Sequence, residues 1–246
     1  MLYRFIFCSF DRLVKMLIPF FDPAVLNGPF KKMRYIPEAI GSSFMPKILG
    51  TYEEEVSGCF EDKRFDIGFD VGAAEGYYAV GLVYSGVCQK MIAWEMTEEG
   101  RNLMASLAHL NGISQSLEIR GECTFDELRK CLEANVGKSV FLVVDCEGFE
   151  GNLLENMPAE LLGNCSLLIE THDPLNPGVH ERLTQKLECS HSVQVIAPRK
   201  RTLSDLGGLP TFFKMVAMAG FGRLAMAERR FSGIKWLICE PKQEPK

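Results

Sequence analysis

The stretch Phe65-Asp-Ile-Gly-Phe-Asp-Val-Gly-Ala-Ala-Glu-Gly-Tyr-Tyr-Ala-Val-Gly81 joins a buried-strand pattern to a helix pattern through a turn of small residues. Ile67, Phe69 and Val71 predict a strand ending near Asp70, and Tyr77, Ala79, Val80 and Val83 predict the helix after it. Between them Gly72, Ala73, Ala74 and Gly76 have minimal side chains or none, so a ligand can approach the backbone. An acid closing a first strand and followed by Gly-x-x-x-Gly leaves two candidate ligands, a dinucleotide or S-adenosylmethionine.

A dinucleotide fingerprint needs glycine at its first, third and sixth places, so that pyrophosphate can rest on the helix N-terminus. Here those places hold Gly72, Ala74 and Tyr77, and Glu75 adds a carboxylate where phosphate charge would sit. S-adenosylmethionine has no phosphate and carries an ammonium beside its sulfonium, so local acid suits it. The spacing favours the methyl donor.

Working outward, Lys90-Met-Ile-Ala-Trp-Glu95 predicts a second buried strand ending in an acid placed to accept ribose hydroxyls. Thr97 is placed to cap a helix running to Asn111-Gly112. Ser116 to Arg120 predicts a third strand with Gly121-Glu122-Cys123 at its exit, where Glu122 is either an adenine ligand or an exposed loop acid. Phe125 to Ala134 reads as a helix, and Ser139-Val-Phe-Leu-Val-Val-Asp145 as a buried strand followed by Cys146-Glu-Gly-Phe-Glu150. Polar residues at that edge line the ligand crevice of such sheets, which makes Asp145 and Glu147 site candidates. Cys165 to Glu170 predicts a fifth strand running into Thr171-His-Asp173, then a helix from about Gly178 to Leu187 and strands over Ser192–Ala197 and Ile234–Cys239.

Upstream, Gly28 to Tyr35 reads as a short hairpin, and Thr51 as the cap of a helix with an acidic first turn in a segment placed to cover the pocket. Leu13, Met16, Leu17 and Phe20 recur at helical spacing and predict an amphipathic helix packed on the domain or a partner, with a homo-oligomer contact open to it. Charged residues interrupt the apolar character of Met1 to Phe21, and the run is short of the roughly 20 residues that span a bilayer. Stable membrane insertion is therefore not expected. No repeat or low-complexity linker appears, so residues 1–60 read as an N-terminal extension covering the cofactor pocket or a partner, and 61–246 as one catalytic domain.

An apolar fraction of 47% with 24% charged residues is that of a soluble globular chain. A net charge of −5 argues against a dedicated nucleic-acid binder. Arg199-Lys-Arg201 and Arg229-Arg230 read as solvated surface. The nine cysteines form no Cys-x-x-Cys pair, so neither a zinc knuckle nor a disulfide framework is indicated and a reducing cytoplasm fits.

With Asp-Val-Gly-Ala-Ala-Glu-Gly from Asp70, Trp-Glu95, Gly-Glu-Cys123, Asp-Cys-Glu-Gly-Phe-Glu150 and Ile-Glu-Thr-His-Asp173 in order, the chain resembles class I S-adenosylmethionine-dependent methyltransferases. It looks closest to the FkbM-type branch, whose Asp-x-Glu-Gly-x-Glu is matched from Asp145 to Glu150. The resemblance covers roughly Thr51 to Ser192. It implies an α/β, Rossmann-like sheet of seven strands in the order 3-2-1-4-5-7-6, the last antiparallel, with helices on both faces. It further implies that Asp70, Gly72 and Gly76 border the methionine moiety, that Glu95 binds ribose, and that Glu122 with Cys123 faces adenine. Ala74 departs from the pattern, standing where many of these enzymes have a middle glycine.

Methyl transfer to an alcohol, whether on a small molecule or a glycan, needs a proton acceptor. His172 is the best by intrinsic pKa, with Asp145 and Glu147 as alternatives, and His172 could equally bond a neighbouring carboxylate to hold its strand end. No metal is predicted, although Asp145, Glu147, Glu170, His172 and Asp173 offer ligands should they converge. The competing expectations are a non-catalytic nucleotide-binding or regulatory module and, further off, an NAD-dependent oxidoreductase.

Overall fold

A computed structural model describes residues 23–206, 226, 228 and 233–242. The expected helix around Leu13 to Phe20, the Arg229-Arg230 pair and most of the stretch between Leu203 and Arg230 lie outside them. Seven strands form one sheet: β1 (Ile67–Val71), β2 (Met91–Trp94), β3 (Leu117–Arg120), β4 (Val140–Val144), β5 (Cys165–His172), β6 (His191–Ile196) and β7 (Ile234–Pro241). Their order is β3-β2-β1-β4-β5-β7-β6, as the resemblance implies. The first five strands pair in parallel, whereas β7 runs antiparallel to both β5 and β6.

Every residue of β1, β4 and β5 is buried, because helices cover both faces of the sheet. On one face Phe141, Val143 and Leu168 pack under α3 (Tyr77–Tyr84) and α4 (Glu98–Leu110). On the other, Phe69, Leu142 and Ile169 pack under α5 (Phe125–Glu133), α6 (Glu150–Leu154), α7 (Ala159–Leu162) and α8 (Val179–Leu187). The helix starts follow the sequence where a side-chain cap is present: Thr97 Oγ1 accepts the Gly100 N–H and Thr124 Oγ1 the Glu127 N–H.

The segment ahead of β1 packs onto the first of these faces. A hairpin forms here as expected, but it starts ahead of the expected Gly28, with Ala24 bridged to Arg34 and the Val25 N–H donated to Met33. Phe30 stacks on Phe60 and meets Tyr77 edge-on, lying against Gly81, where any Cβ would fall 2.5 Å from its ring. Two short helices follow, α1 (Phe44–Leu49), which the sequence pattern does not announce, and α2 (Glu54–Ser57). The structure corrects the expected cap at Thr51. Its hydroxyl is buried without a hydrogen-bond partner among the described residues, and α2 begins three residues later behind a left-handed Glu53.

Strand β5 runs two residues beyond the predicted Glu170, because Thr171 and His172 pair with Lys235 and Ile234 of β7. That extension fixes the backbone of His172. Of the remaining histidines, His191 is buried with Nε2 3.0 Å from the Cys165 carbonyl, a structural contact.

Candidate functional site

The C-terminal ends of β1, β2, β4 and β5 open onto a cavity of about 590 Å³, within the size range of small-ligand sites. Residues from Ile40 to Glu53 of the N-terminal segment line it from above, and Glu228 from the side. Five described non-glycine residues have left-handed backbones, and three of them, Glu53, Ala74 and Glu147, line this cavity. Such backbone strain concentrates at functional sites.

The loop after β1 wraps tightly. Gly72 has φ +87, and a Cβ there would fall 1.8 Å from the Asp145 carbonyl oxygen, so β1 and β4 meet at a point only glycine can occupy. The N–H groups of Gly72 and Ala73 both reach the Trp94 carbonyl at 3.0 Å. Ala74 adopts φ +49, a conformation glycine favours, and donates its N–H to Glu95 Oε2 at 3.0 Å. Glu95 Oε1 accepts the Thr97 N–H and hydroxyl, and Gly100 leaves room for the folded side chain. Glu95 is one of the residues that line the cavity.

Asp70 is 2% exposed and its Oδ2 has no hydrogen-bond partner among the described residues. Burial, then the nearby Asp145 charge, pushes its carboxyl up to about 8. Because this exceeds the value of 3.8 for a free aspartate, the folded protein holds a proton there that the unfolded chain releases. The stability Asp70 contributes is full below that lower value and is lost as pH rises through about 8. Asp70→Asn is expected to flatten this decline and leave the ligand-free protein more stable than the native chain above pH 8. Urea midpoints at several pH values check it, and parallel profiles would refute it.

Glu75 behaves otherwise than the sequence reading assumed. Its side chain is fully buried, turned from the cavity into the N-terminal segment, where Lys47, the Tyr35 hydroxyl (2.8 Å) and the Ile40 N–H (3.0 Å) converge on it. Burial opposes ionisation, but these partners outweigh it and hold the Glu75 carboxyl below its usual range. Lys47 is thereby neutralised, and its ammonium also lies 4.8 Å from the Tyr52 ring centre.

The far end of the cavity is built around His172, 2% exposed. Its Nδ1 lies 2.7 Å from Glu150 Oε1, which also accepts the Gly148 N–H at 3.0 Å. Its Nε2 is 3.5 Å from Glu147 Oε2, 3.5 Å from Glu170 Oε2 and 3.8 Å from Asp145 Oδ1. Burial works against a charged imidazole, yet the Glu150 hydrogen bond and the surrounding carboxylates prevail and raise its pKa. Asp145 is raised to about 6, chiefly by burial.

The structure thus brings Asp70, Gly72, Ala74, Glu95, Glu122, Cys123, Asp145, Glu147 and His172 to one cavity. Gly76 is not among the lining residues; it starts α3 with φ +92 against Met104. Glu122 is exposed at the rim, and burial pushes the Cys123 thiol up to about 12. Asp173 stands apart from the carboxylate group, since its Oδ1 accepts the Gly178 N–H at 3.0 Å. Glu150 is the anchor that sequence reasoning missed, although it closes the quoted Asp145–Glu150 motif. Glu53 and Glu228 left no motif to find.

A sheet of this order whose first strand ends in a glycine-bounded turn beneath an acidic cavity decides the architecture. The fold is that of the class I methyltransferases. No family model matches the chain, and no curated protein matches it. Among solved structures, it is similar to the precorrin-6Y C5,15-methyltransferase of Geobacter metallireducens, at 10% identity over 75% of this chain and 84% of that one, TM-score 0.46. It is also similar to an O-methyltransferase of Bacillus cereus in complex with SAH, at 13% identity over 54% and 67%, TM-score 0.43. The tRNA (m1A22) methyltransferase TrmK of B. subtilis gives 11% identity over 76% and 65%, TM-score 0.42. Likenesses this distant fix neither activity nor substrate. Within the class I fold, the chemistry of this chain has to be read from its own cavity.

Proposed function

We propose that the protein is an S-adenosylmethionine-dependent O-methyltransferase acting on a hydroxyl of a small molecule or glycan, with a motif from Asp145 to Glu150 that resembles that of the FkbM-type enzymes. The observation that carries this is the charge of the cavity. Eight acidic side chains line it, from Glu53, Asp70, Glu95, Glu122, Asp145, Glu147, Glu170 and Glu228; Asp70 holds a proton until about pH 8 and Glu228 is paired with Arg201, yet the acids still outnumber the cations, since the lining lysine, Lys47, is already paired with Glu75. Such a lining attracts a sulfonium and an ammonium and repels phosphate, which disfavours both a dinucleotide and a nucleic-acid backbone in the cavity.

When bound, the cofactor supplies an electrophilic methyl group. The chain's own residues do the rest. Asp70 turns an unpartnered oxygen to the methionine ammonium, whose positive charge favours release of the proton the ligand-free carboxyl holds, and Gly72 lets that end rest against backbone. Glu95 offers a carboxylate oxygen to a ribose hydroxyl, while Glu122 and Cys123 border the adenine. Glu150 holds the His172 ring so that Nε2 faces the acceptor. Asp145, Glu147 and His172 are the groups that receive the acceptor's proton. Residues 40–53 and Glu228 cover the opening and exclude water.

Isothermal titration is expected to show one site for S-adenosylmethionine and none for NAD. Uptake of labelled methyl should then appear with a hydroxyl-bearing acceptor from a glycan and small-metabolite screen. A protein that ignores the methyl donor at millimolar concentration would refute the proposal. Cofactor binding without any methylated acceptor would favour the regulatory module.

A further inference from the structure

We infer that Asp145 Oδ1, Glu170 Oε2 and His172 Nε2 form a binding site for one divalent cation of the Mn²⁺ class. The three residues each offer a ligand atom, and those atoms lie within 4.8 Å of one another. One sphere of coordination can therefore span them with small side-chain adjustments.

Two features point to a cation there. Asp145 Oδ1 is buried and has no hydrogen-bond partner among the described residues, a costly state for a carboxylate oxygen that a metal would relieve. His172 is fixed through Nδ1 by the wholly buried Glu150, so Nε2 is aimed at Asp145 and Glu170; metal-binding histidines are commonly oriented by such a carboxylate. Glu147 Oε2 also stands 3.5 Å from Nε2, at the edge of the same group.

Two carboxylate oxygens and an imidazole nitrogen suit a metal intermediate between oxygen-seeking Mg²⁺ and nitrogen-seeking Zn²⁺. The site opens into the cavity, so coordination positions not filled by protein face the acceptor. This rests on and deepens the methyltransferase proposal: a cation held by Asp145, Glu170 and His172 would hold the acceptor oxygen, and Glu147, beside the cluster and outside the ligand set, would then be the group that receives the acceptor's proton, but the binding itself requires no cofactor.

The test is calorimetric titration of the full-length protein with MnCl₂ alone, in the absence of S-adenosylmethionine, with folding followed by circular dichroism. One Mn²⁺ per chain is expected, weakened at least about 100-fold in Glu170→Gln and in His172→Gln. Glu150→Ala should weaken it by about 10- to 100-fold, as loss of an orienting partner does. Asp173→Asn, outside the cluster, should bind as the native chain does. If either ligand variant fails to fold, Asp145→Asn replaces it, since that side chain is 30% exposed. No heat and no shift in unfolding temperature with millimolar Mn²⁺, or binding that survives the ligand substitutions, would overturn the site. A separate titration with S-adenosylmethionine on the same sample shows whether the methyltransferase proposal stands regardless.

Discussion

Replacing Gly72 with alanine is expected to abolish useful cofactor binding, raising Kd by about 100-fold or more and lowering the urea midpoint. The added Cβ would lie 1.8 Å from the Asp145 carbonyl oxygen and 2.7 Å from its carbon, both backbone atoms that cannot swing aside. The residue would also be forced to keep φ +87. Left-handed strain on a non-glycine residue costs on the order of 1–3 kcal/mol before any clash is counted, and about 2.8 kcal/mol is already a hundredfold in affinity. Relief must come from parting β1 and β4, which the Asp145 N–H to Val71 hydrogen bond of 2.9 Å holds together. Gly76→Ala is the informative contrast. It carries the same left-handed strain at φ +92, but its Cβ would meet Met104 Cγ at 2.6 Å, a side-chain and not a backbone atom, so a smaller loss is expected. Calorimetry on both variants checks the order, and equal effects would refute this account of the loop.

Glu150→Ala is expected to cut methyl transfer by about 10²- to 10⁴-fold, the range that general acid–base positioning supplies, while cofactor affinity changes little. Glu150 is wholly buried, holds His172 Nδ1 at 2.7 Å, and lies beyond the cavity lining, so its loss acts through the ring it orients. Alanine also strands a buried imidazole N–H at a cost of about 1–3 kcal/mol. Glu150→Gln keeps an oxygen for both His172 and the Gly148 N–H and should recover most of the turnover. A merely structural role would instead lower cofactor affinity and stability alike in both variants. The measurement is kcat against KM for acceptor, with cofactor Kd taken separately.

Much of the sheet was legible because its strands are short apolar runs that end in acids, as in Val140 to Asp145, with caps such as Thr97 marking the helix starts. The antiparallel β7 entered through the resemblance, since periodicity alone does not give pairing direction. What escaped was chemistry set by distant partners. Glu75 looked like a ligand-facing acid because its neighbours are glycine and alanine, yet Lys47 and Tyr35, 28 and 40 residues away, turn it inward. Thr51 has the composition of a cap, but its hydroxyl was buried by packing that local sequence does not encode. Glu150 stood in plain view as the last residue of a motif, and only the two-residue extension of β5 brought His172 to it.

Arg201 is almost wholly enclosed between Glu55 and Glu228, and its Nε also reaches the Thr51 carbonyl at 2.7 Å. Glu228 in turn accepts the Glu53 N–H at 3.2 Å. The roof over the acidic chamber is therefore stitched from residues near opposite termini. A nascent chain emerging from the ribosome would own the floor, with Gly72, Glu95 and His172 already translated, long before Glu228 arrives to complete the enclosure.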